Sequence, residues 1–250
     1  MYTLKKSLGQ HFLKDAGIIT KIMDALKKES FERLLEVGPG GGALTGQLLE
    51  LENIDFKAVE LDDEKIQYLQ KTFPAIQNKI IAADFLKVPM PFEKPFIVIG
   101  NFPYNISSQI LFKILDWKEN VPVSIGMFQK EVAERAASKP NSKAYGVLSV
   151  LVQAYYDVEY LFDVPPSAFN PPPKVMSGVI RLQRKTNTPN YTSEKAFRLL
   201  VKTAFNQRRK TLRNALKSIF PPTALQDEIF NRRAETLSVD EFAALTFKMQ

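Results

Sequence analysis

The sequence predicts a doubly wound α/β domain, an open and mostly parallel sheet with helices on its faces, followed by a small all-α region. Three observations lead there. Short β-rich runs alternate with stretches of helical period through residue 183, a glycine-rich turn follows the first run directly, and beyond Ser193 the apolar residues recur at helical spacing.

In chain order, Leu34–Val37, Lys57–Glu60, Ile80–Ala82, Phe96–Ile99 and Val123–Phe128 read as five strands. Between and after them, Leu44–Leu51, Glu64–Phe73, Ser107–Leu115 and Lys130–Ala137 carry helical spacing. Tyr155–Phe162 and Val175–Leu182 read as two further strands. They are joined by a segment running from Pro165-Pro166 to Pro171-Pro172-Pro173, which cannot be helical throughout. The polar stretch Lys185–Ser193 holds turn residues and no apolar period, so it divides a domain over 1–185 from one over 193–250, with 186–192 as linker. In the second domain Phe197, Val201, Ala204, Leu212, Ala215 and Ile219 mark an apolar face, and Lys202, Arg209, Arg213 and Lys217 fall along another.

Composition narrows the chemistry. The 250 residues contain no cysteine and one histidine, His11. Disulfides, thiolate metal sites, iron–sulfur clusters and cysteine nucleophiles are thereby excluded, and a metal centre is not expected. The lysines near the N-terminus are not followed by an apolar segment, and no run approaches the roughly 20 apolar residues of a bilayer span, so a cytoplasmic protein without membrane attachment is expected. The absence of a long apolar surface stripe points to a monomer. Residues 193–250 hold 11 basic and 6 acidic residues, which is +5 of the net +7. A solvated basic face is the plain explanation; a polyanion such as RNA is the functional one, with Arg208, Arg209, Lys210 and Arg213 as its candidate contacts.

The motifs carry more. Glu36-Val37-Gly38-Pro39-Gly40-Gly41-Gly42 leads from the first strand toward a helix, and glycines there let a ligand approach the backbone closely. Glu60 ends the second strand, where a carboxylate can accept from both hydroxyls of a ribose. Sites for nicotinamide dinucleotides share that acid, so the pair specifies only an adenosine-type cofactor. Asp84 follows the third strand, either as a turn cap or as an acceptor for an adenine amino group. Asn101-Phe102-Pro103-Tyr104 follows the fourth and suits methylation of an amine. The lone pair of an exocyclic adenine amine is delocalised into its ring. Two carbonyl acceptors, the Asn101 amide oxygen and the Phe102 main-chain oxygen, would draw the amine toward sp³ geometry and stabilise developing positive charge. Pro103 fixes the turn, and Tyr104 can stack on the base, a contact of roughly 1–3 kcal/mol. His11 reads equally as a surface residue or as part of a lid, and Phe169 as packing or as a second wall of a target-base pocket.

Taken together, these residues resemble the ribosomal RNA adenine dimethyltransferase family, closest to its bacterial branch acting on 16S RNA. The resemblance rests on Ser7-Leu8-Gly9-Gln10-His11-Phe12-Leu13, Glu36-Val37-Gly38-Pro39-Gly40, Asn101-Phe102-Pro103-Tyr104-Asn105, Phe169-Asn170-Pro171-Pro172-Pro173-Lys174-Val175 and Ala204-Phe205-Asn206-Gln207-Arg208-Arg209-Lys210-Thr211-Leu212. It implies a Rossmann-like domain that uses S-adenosylmethionine, with His11, Leu13, Gly38, Glu60, Asp84 and Asn101 contacting the cofactor. It also implies N6,N6-dimethylation of two adjacent adenines in the hairpin loop near the 3′ end of 16S RNA, within the assembling small subunit. Phe102 stands where an aliphatic residue is usual, which bears on the width of the target pocket, and Gly41 extends the glycine run. The alternatives are a 23S RNA methyltransferase of the macrolide-resistance type, a non-catalytic assembly or transcription factor, and, more remotely, an N6-adenine DNA methyltransferase.

Overall fold

The computed structural model describes residues 11–249, so Ser7–Gln10 of the first motif lie outside the described residues. The described residues form two compact units, one of residues 11–133 and 159–184, the other of residues 134–158 and 185–249. The inclusion of 134–158 in the second unit differs from the expectation of a single continuous domain over 1–185.

The first unit opens with β1 (Phe12–Leu13) and α1 (Ala16–Leu26). The Asp15 side chain accepts from Ile18 N at 3.1 Å and starts α1, which buries Ile18, Ile22, Met23, Ala25 and Leu26. Then come β2 (Arg33–Val37), α2 (Thr45–Leu49), β3 (Asp55–Glu60), α3 (Asp63–Thr72) and β4 (Ile80–Ala82). Asp62 caps α3, whose first turn carries Asp63 and Glu64 and whose last turn carries Lys71, both suited to the helix dipole. The chain continues through β5 (Ile97–Asn101), α4 (Ser107–Asp116), β6 (Val123–Gln129), α5 (Lys130–Ala137) and α6 (Val147–Gln153). β7 (Tyr156–Val164), β8 (Phe169–Asn170) and β9 (Ser177–Arg184) complete the strands.

The main sheet has the order β4-β3-β2-β5-β6-β9-β7. β2 pairs parallel with β3 on one side and with β5 on the other. β3 is parallel to β4 and β5 to β6, while β9 joins β6 antiparallel. The strand order therefore reverses at the β2/β5 junction, and parallel α/β sheets bind ligands at the carboxyl ends of strands at such a switch point. Central strands are buried along their length, which is why they read as apolar runs rather than as alternating patterns. Leu34, Ile97, Ile99, Ile125 and Met127 contribute to the core cluster with Leu26 and Leu69.

The second unit contains α6, α7 (Glu194–Asn206), α8 (Leu212–Ala215) and α9 (Val239–Leu245), joined by short 3₁₀ turns. Ser193 caps α7, and Ser238 with Glu241 forms a capping box on α9. Phe197, Val201, Ala204, Leu212 and Ala215 are buried as expected. The stripe of Lys202, Arg209, Arg213 and Lys217 is not continuous, because α7 stops at Asn206 and α8 begins at Leu212. Residues 134–158 bond to the rest of this unit: Tyr145 donates to Leu237 O at 3.0 Å, and Asn141 N donates to Glu235 O at 2.8 Å. α1 and α6 lie outside the set of helices expected from spacing. The run in α6, Val-Leu-Ser-Val-Leu-Val-Gln, favours a strand by propensity. It is helical with Val150, Leu151 and Val152 buried and with Gly146 N donating to Ser149 Oγ at 3.0 Å at its start.

Candidate active site

A cavity of about 220 Å³ opens at the carboxyl ends of β2, β3, β4 and β5. Its wall includes His11, Leu13, Gly38, Glu60, Asp84, Asn101, Phe102, Pro103 and Tyr104. The six residues expected to hold the cofactor and the four of the reactive loop thus surround one space. Arg208, Arg209, Lys210, Arg213 and Phe169 do not line it.

The glycine turn supplies the floor. Gly38 and Gly40 have φ of +66° and +57°, a region that side-chain-bearing residues rarely adopt. A β-carbon at Gly38 would face Pro103 at 3.6 Å, and one at Gly40 would face Phe12 at 3.4 Å. Gly41 is not among the residues with positive φ, so a bulkier residue is tolerated there by the backbone. Glu60, 6% exposed, ties this turn to its own strand end. Its Oε2 accepts from Gly40 N at 3.1 Å, and its Oε1 accepts from Leu61 N at 2.9 Å and Asp62 N at 3.0 Å. A carboxylate offers about four acceptor positions. Three are taken, so Glu60 has capacity for roughly one more donor, fewer than the two expected for a ribose.

Asp84 acts as the turn cap that its position allowed and also stands at the cavity. Its Oδ1 accepts from Leu86 N at 3.0 Å, which caps the turn, and the residue also borders the cavity. Phe85 is 5% exposed, and its ring packs edge-on against Trp117 with centroids 5.4 Å apart.

The reactive loop is held from two directions. Asn101 Nδ2 donates to His11 O at 3.2 Å. A main-chain carbonyl can only accept, so this bond fixes which end of the amide faces His11 and leaves Asn101 Oδ1 without a partner among the described residues. Phe102 N donates to Met127 O at 3.1 Å, and no described group donates to Phe102 O. Two uncommitted carbonyl oxygens on consecutive residues at one cavity are an acceptor pair. Tyr104 starts a 3₁₀ turn at Tyr104–Ile106, and its hydroxyl is paired with Ser177 Oγ at the start of β9. Burial raises the Tyr104 phenol above its ordinary value while the Ser177 contact opposes the rise, so the ring is held neutral. Its centroid lies 5.7 Å from that of His11.

His11 reaches the cavity because β1 pairs antiparallel with β8, setting Phe12 opposite Asn170 and Leu13 opposite Phe169. His11 Nδ1 donates to Pro171 O at 2.9 Å, again because the carbonyl can only accept. The same pairing corrects the placement of Phe169 in a base pocket: the residue is 1% exposed and belongs to the hydrophobic core. The Phe102 side chain, whose bearing on the target pocket was open in the sequence, is buried as well. It is 1% exposed and packs 4.8 Å from the Phe128 ring, so the larger residue is turned into the sheet instead of narrowing the target pocket.

Three residues at the site carried no role in the sequence reading. Glu36, 2% exposed on β2, accepts from Thr45 Oγ1 at 2.8 Å, and burial, eased by Thr45 and reinforced by Glu60, pushes its carboxyl up to about 8. Lys65, 7% exposed on α3, lines the cavity with its Nζ 5.6 Å from the Phe12 ring centroid. Ser177 anchors Tyr104. Glu36 stood inside a recognised motif; Lys65 and Ser177 had no sequence signal. Among the described residues no group of three or more His, Asp or Glu is placed to hold a metal ion. Among the same residues no helix is long and apolar enough to cross a membrane.

In the second unit the four basic candidates divide. Arg208 bonds to Glu235 at 3.3 Å and to Ser142 O at 3.2 Å, and Arg213 donates to Leu225 O at 2.9 Å. Arg209 and Lys210 are exposed in the break between α7 and α8.

A family model described as ribosomal RNA adenine dimethylase matches residues 1–247. The ribosomal RNA small subunit methyltransferase A of Cytophaga hutchinsonii is 53% identical over 246 residues, covering 97% of this chain and 95% of its own. Its namesake in Flavobacterium johnsoniae is 50% identical over 250 residues, covering 98% and 95%. Among solved structures, a dimethyladenosine transferase from Plasmodium falciparum superposes with a TM-score of 0.78 at 27% identity, covering 93% of this chain and 94% of its own. The 23S rRNA methyltransferase ErmE shares the fold with a TM-score of 0.72 at 22% identity, covering 95% and 99%. This fold and family are those of methyltransferases, which implies S-adenosylmethionine as methyl donor. The chain belongs to the ribosomal RNA adenine dimethylase family and is an rRNA adenine dimethyltransferase.

Proposed function

We propose that this enzyme dimethylates N6 of two adjacent adenines in the 3′-terminal hairpin loop of 16S rRNA, within the assembling small ribosomal subunit. The observation that carries the chemistry is the pair of uncommitted acceptors, Asn101 Oδ1 and Phe102 O, beside Tyr104 on one cavity wall. The names of the similar proteins, small subunit methyltransferases, favour the small-subunit RNA.

The residues fit S-adenosylmethionine. Gly38 and Gly40 leave a backbone cradle that β-carbons would fill, and Glu60 and Asp84 place acceptors at the ends of β3 and β4. His11, Leu13 and Asn101 close the same wall. Bound there, S-adenosylmethionine supplies an electrophilic methyl on a positively charged sulfur. The chain's own work lies on the base. Asn101 Oδ1 and Phe102 O accept the two N–H bonds of the adenine amine, pull its lone pair out of conjugation and offset the charge that forms on nitrogen. The alkylated nitrogen is acidic and gives up one proton to water, so after the first methylation one N–H remains for one acceptor, and the other faces the methyl group. Tyr104 stacks on the extruded base, its orientation fixed by Ser177. A loop adenine is cheaper to extrude than a paired one, which suits a hairpin-loop target. Arg209 and Lys210 are free to meet phosphate, whereas Arg208 and Arg213 brace the second unit. We read the enzyme as a monomer on its substrate.

Replacing Asn101 with Ala removes one acceptor and the bond to His11 O. Loss of one such group typically costs 10²- to 10³-fold in turnover, so methyl transfer is expected to fall by about that factor while RNA affinity stays within about threefold. Unchanged turnover in Asn101→Ala would refute the acceptor role.

A further inference from the structure

The ring of Phe102 occupies a space that exists only because two neighbouring strands carry glycine. Gly100 on β5 and Gly126 on β6 are register partners. A β-carbon at Gly126 would lie 2.7 Å from Phe102 Cδ2, closer still to Cε2, and 2.9 Å from Phe128 Cε2. One at Gly100 would lie 2.8 Å from Phe102 Cε1 and 2.5 Å from Val37 O. Neither glycine has a positive φ, so the backbone conformation does not call for glycine at either place. The ring does. Glycine inside a strand weakens it, and two side by side in the middle of a buried sheet mark a close approach of something else.

What approaches is Phe102, a residue of the cavity wall whose carbonyl accepts no hydrogen bond from a described group. Phe102 N is bonded to Met127 O on β6, and the Phe102 ring rests on Gly126 of the same strand. Its amide and side chain are thus both docked on β6, and the polar atom left over among the described contacts is the carbonyl oxygen. We infer that Gly126, supported by Gly100, is a positioning residue for adenine methylation: it seats the Phe102 ring and thereby sets where the Phe102 carbonyl stands. This rests on the acceptor role proposed above. It also explains how so large a side chain is accommodated inside the sheet, with the glycine notch taking up its volume.

The test uses the full chain and undermethylated small subunits, comparing Gly126→Ala, Phe102→Leu and the double variant for kcat, KM, cofactor affinity by calorimetry and melting temperature. Displacing a catalytic group by about 1 Å costs on the order of 10²-fold. Gly126→Ala is therefore expected to lower kcat by about 10- to 100-fold, with KM and cofactor affinity within about threefold. In the double variant a smaller side chain meets a filled notch, and kcat is expected to return to within about threefold of wild type. If Gly126→Ala does not fold, Phe102→Leu and the double variant carry the comparison. Refilling the notch must raise kcat over Phe102→Leu alone. Wild-type kcat in folded Gly126→Ala, or a double variant no more active than Phe102→Leu, would overturn the inference. Asn101→Ala is assayed alongside: if it is inactive and no rescue appears, only the positioning role falls, whereas full activity removes the acceptor reading and the role together.

Discussion

Glu36 should make this protein less stable as pH rises, and the substitution that reveals this is Glu36→Gln. The carboxyl is 2% exposed on β2, and burial lifts it from an ordinary 4.5 to about 8 despite the opposing hydrogen bond from Thr45, with Glu60 adding to the rise. The folded state then holds a proton that the unfolded chain has lost. Stability from this group is fully present below the unfolded value and is lost as pH climbs through the folded one. At 1.36 kcal/mol per pH unit, the interval from 4.5 to about 8 corresponds to a ceiling of roughly 5 kcal/mol, of which about 3 is lost by pH 7. The glutamine side chain keeps the volume and an oxygen for Thr45 Oγ1 but cannot ionise. The assay is urea unfolding of unliganded wild type and Glu36→Gln at pH 5, 7 and 9, taking the difference at each pH so that other titrations cancel. The variant is expected to be close to wild type at pH 5 and more stable by several kcal/mol at pH 9. A difference that stays flat within about 1 kcal/mol across that range would refute a proton held on Glu36.

Phe169→Ala tests the corrected placement of that residue: with the ring 1% exposed in the core, the loss should be about 3–5 kcal/mol in unfolding free energy, seen as a lower melting temperature. A stable variant with weakened RNA binding would return Phe169 to the base pocket. The basic residues should separate by role. The double variant Arg209→Ala/Lys210→Ala should weaken binding to rRNA and reduce the slope of log affinity against log salt by about 1–2 without changing the melting temperature. Arg208→Ala should instead lower the melting temperature, because it strips contacts from Glu235 and Ser142.

Much of this was legible in the sequence, and the parts that were not share a cause. Apolar runs ending in Gly38, Glu60 and Asn101 exposed the strands and their carboxyl ends, because a buried parallel strand must be apolar and a ligand-binding turn must break that run. Local patterns cannot report what arrives from far along the chain. The burial of Phe169 depends on β1 lying beside β8, the orientation of Tyr104 on Ser177, and the direction of the Phe102 ring on a glycine one strand away. Residues 134–158 sit with the C-terminal unit through bonds to Glu235 and Leu237 that no boundary signal announces. Arg208 and Arg213 look like Arg209 and Lys210 in sequence, and only their partners distinguish brace from free cation. Glu36 was visible as a residue, but its protonation is a property of burial that composition does not carry.

The central claim is tested most directly by methyl transfer from labelled S-adenosylmethionine to undermethylated small ribosomal subunits, with nucleoside mass spectrometry of the 16S RNA and free 23S RNA as control. The expected product is N6,N6-dimethyladenosine at two adjacent positions of the 3′-terminal hairpin loop, with none in 23S RNA. Subunit binding without methylation, or transfer to 23S RNA alone, would contradict it.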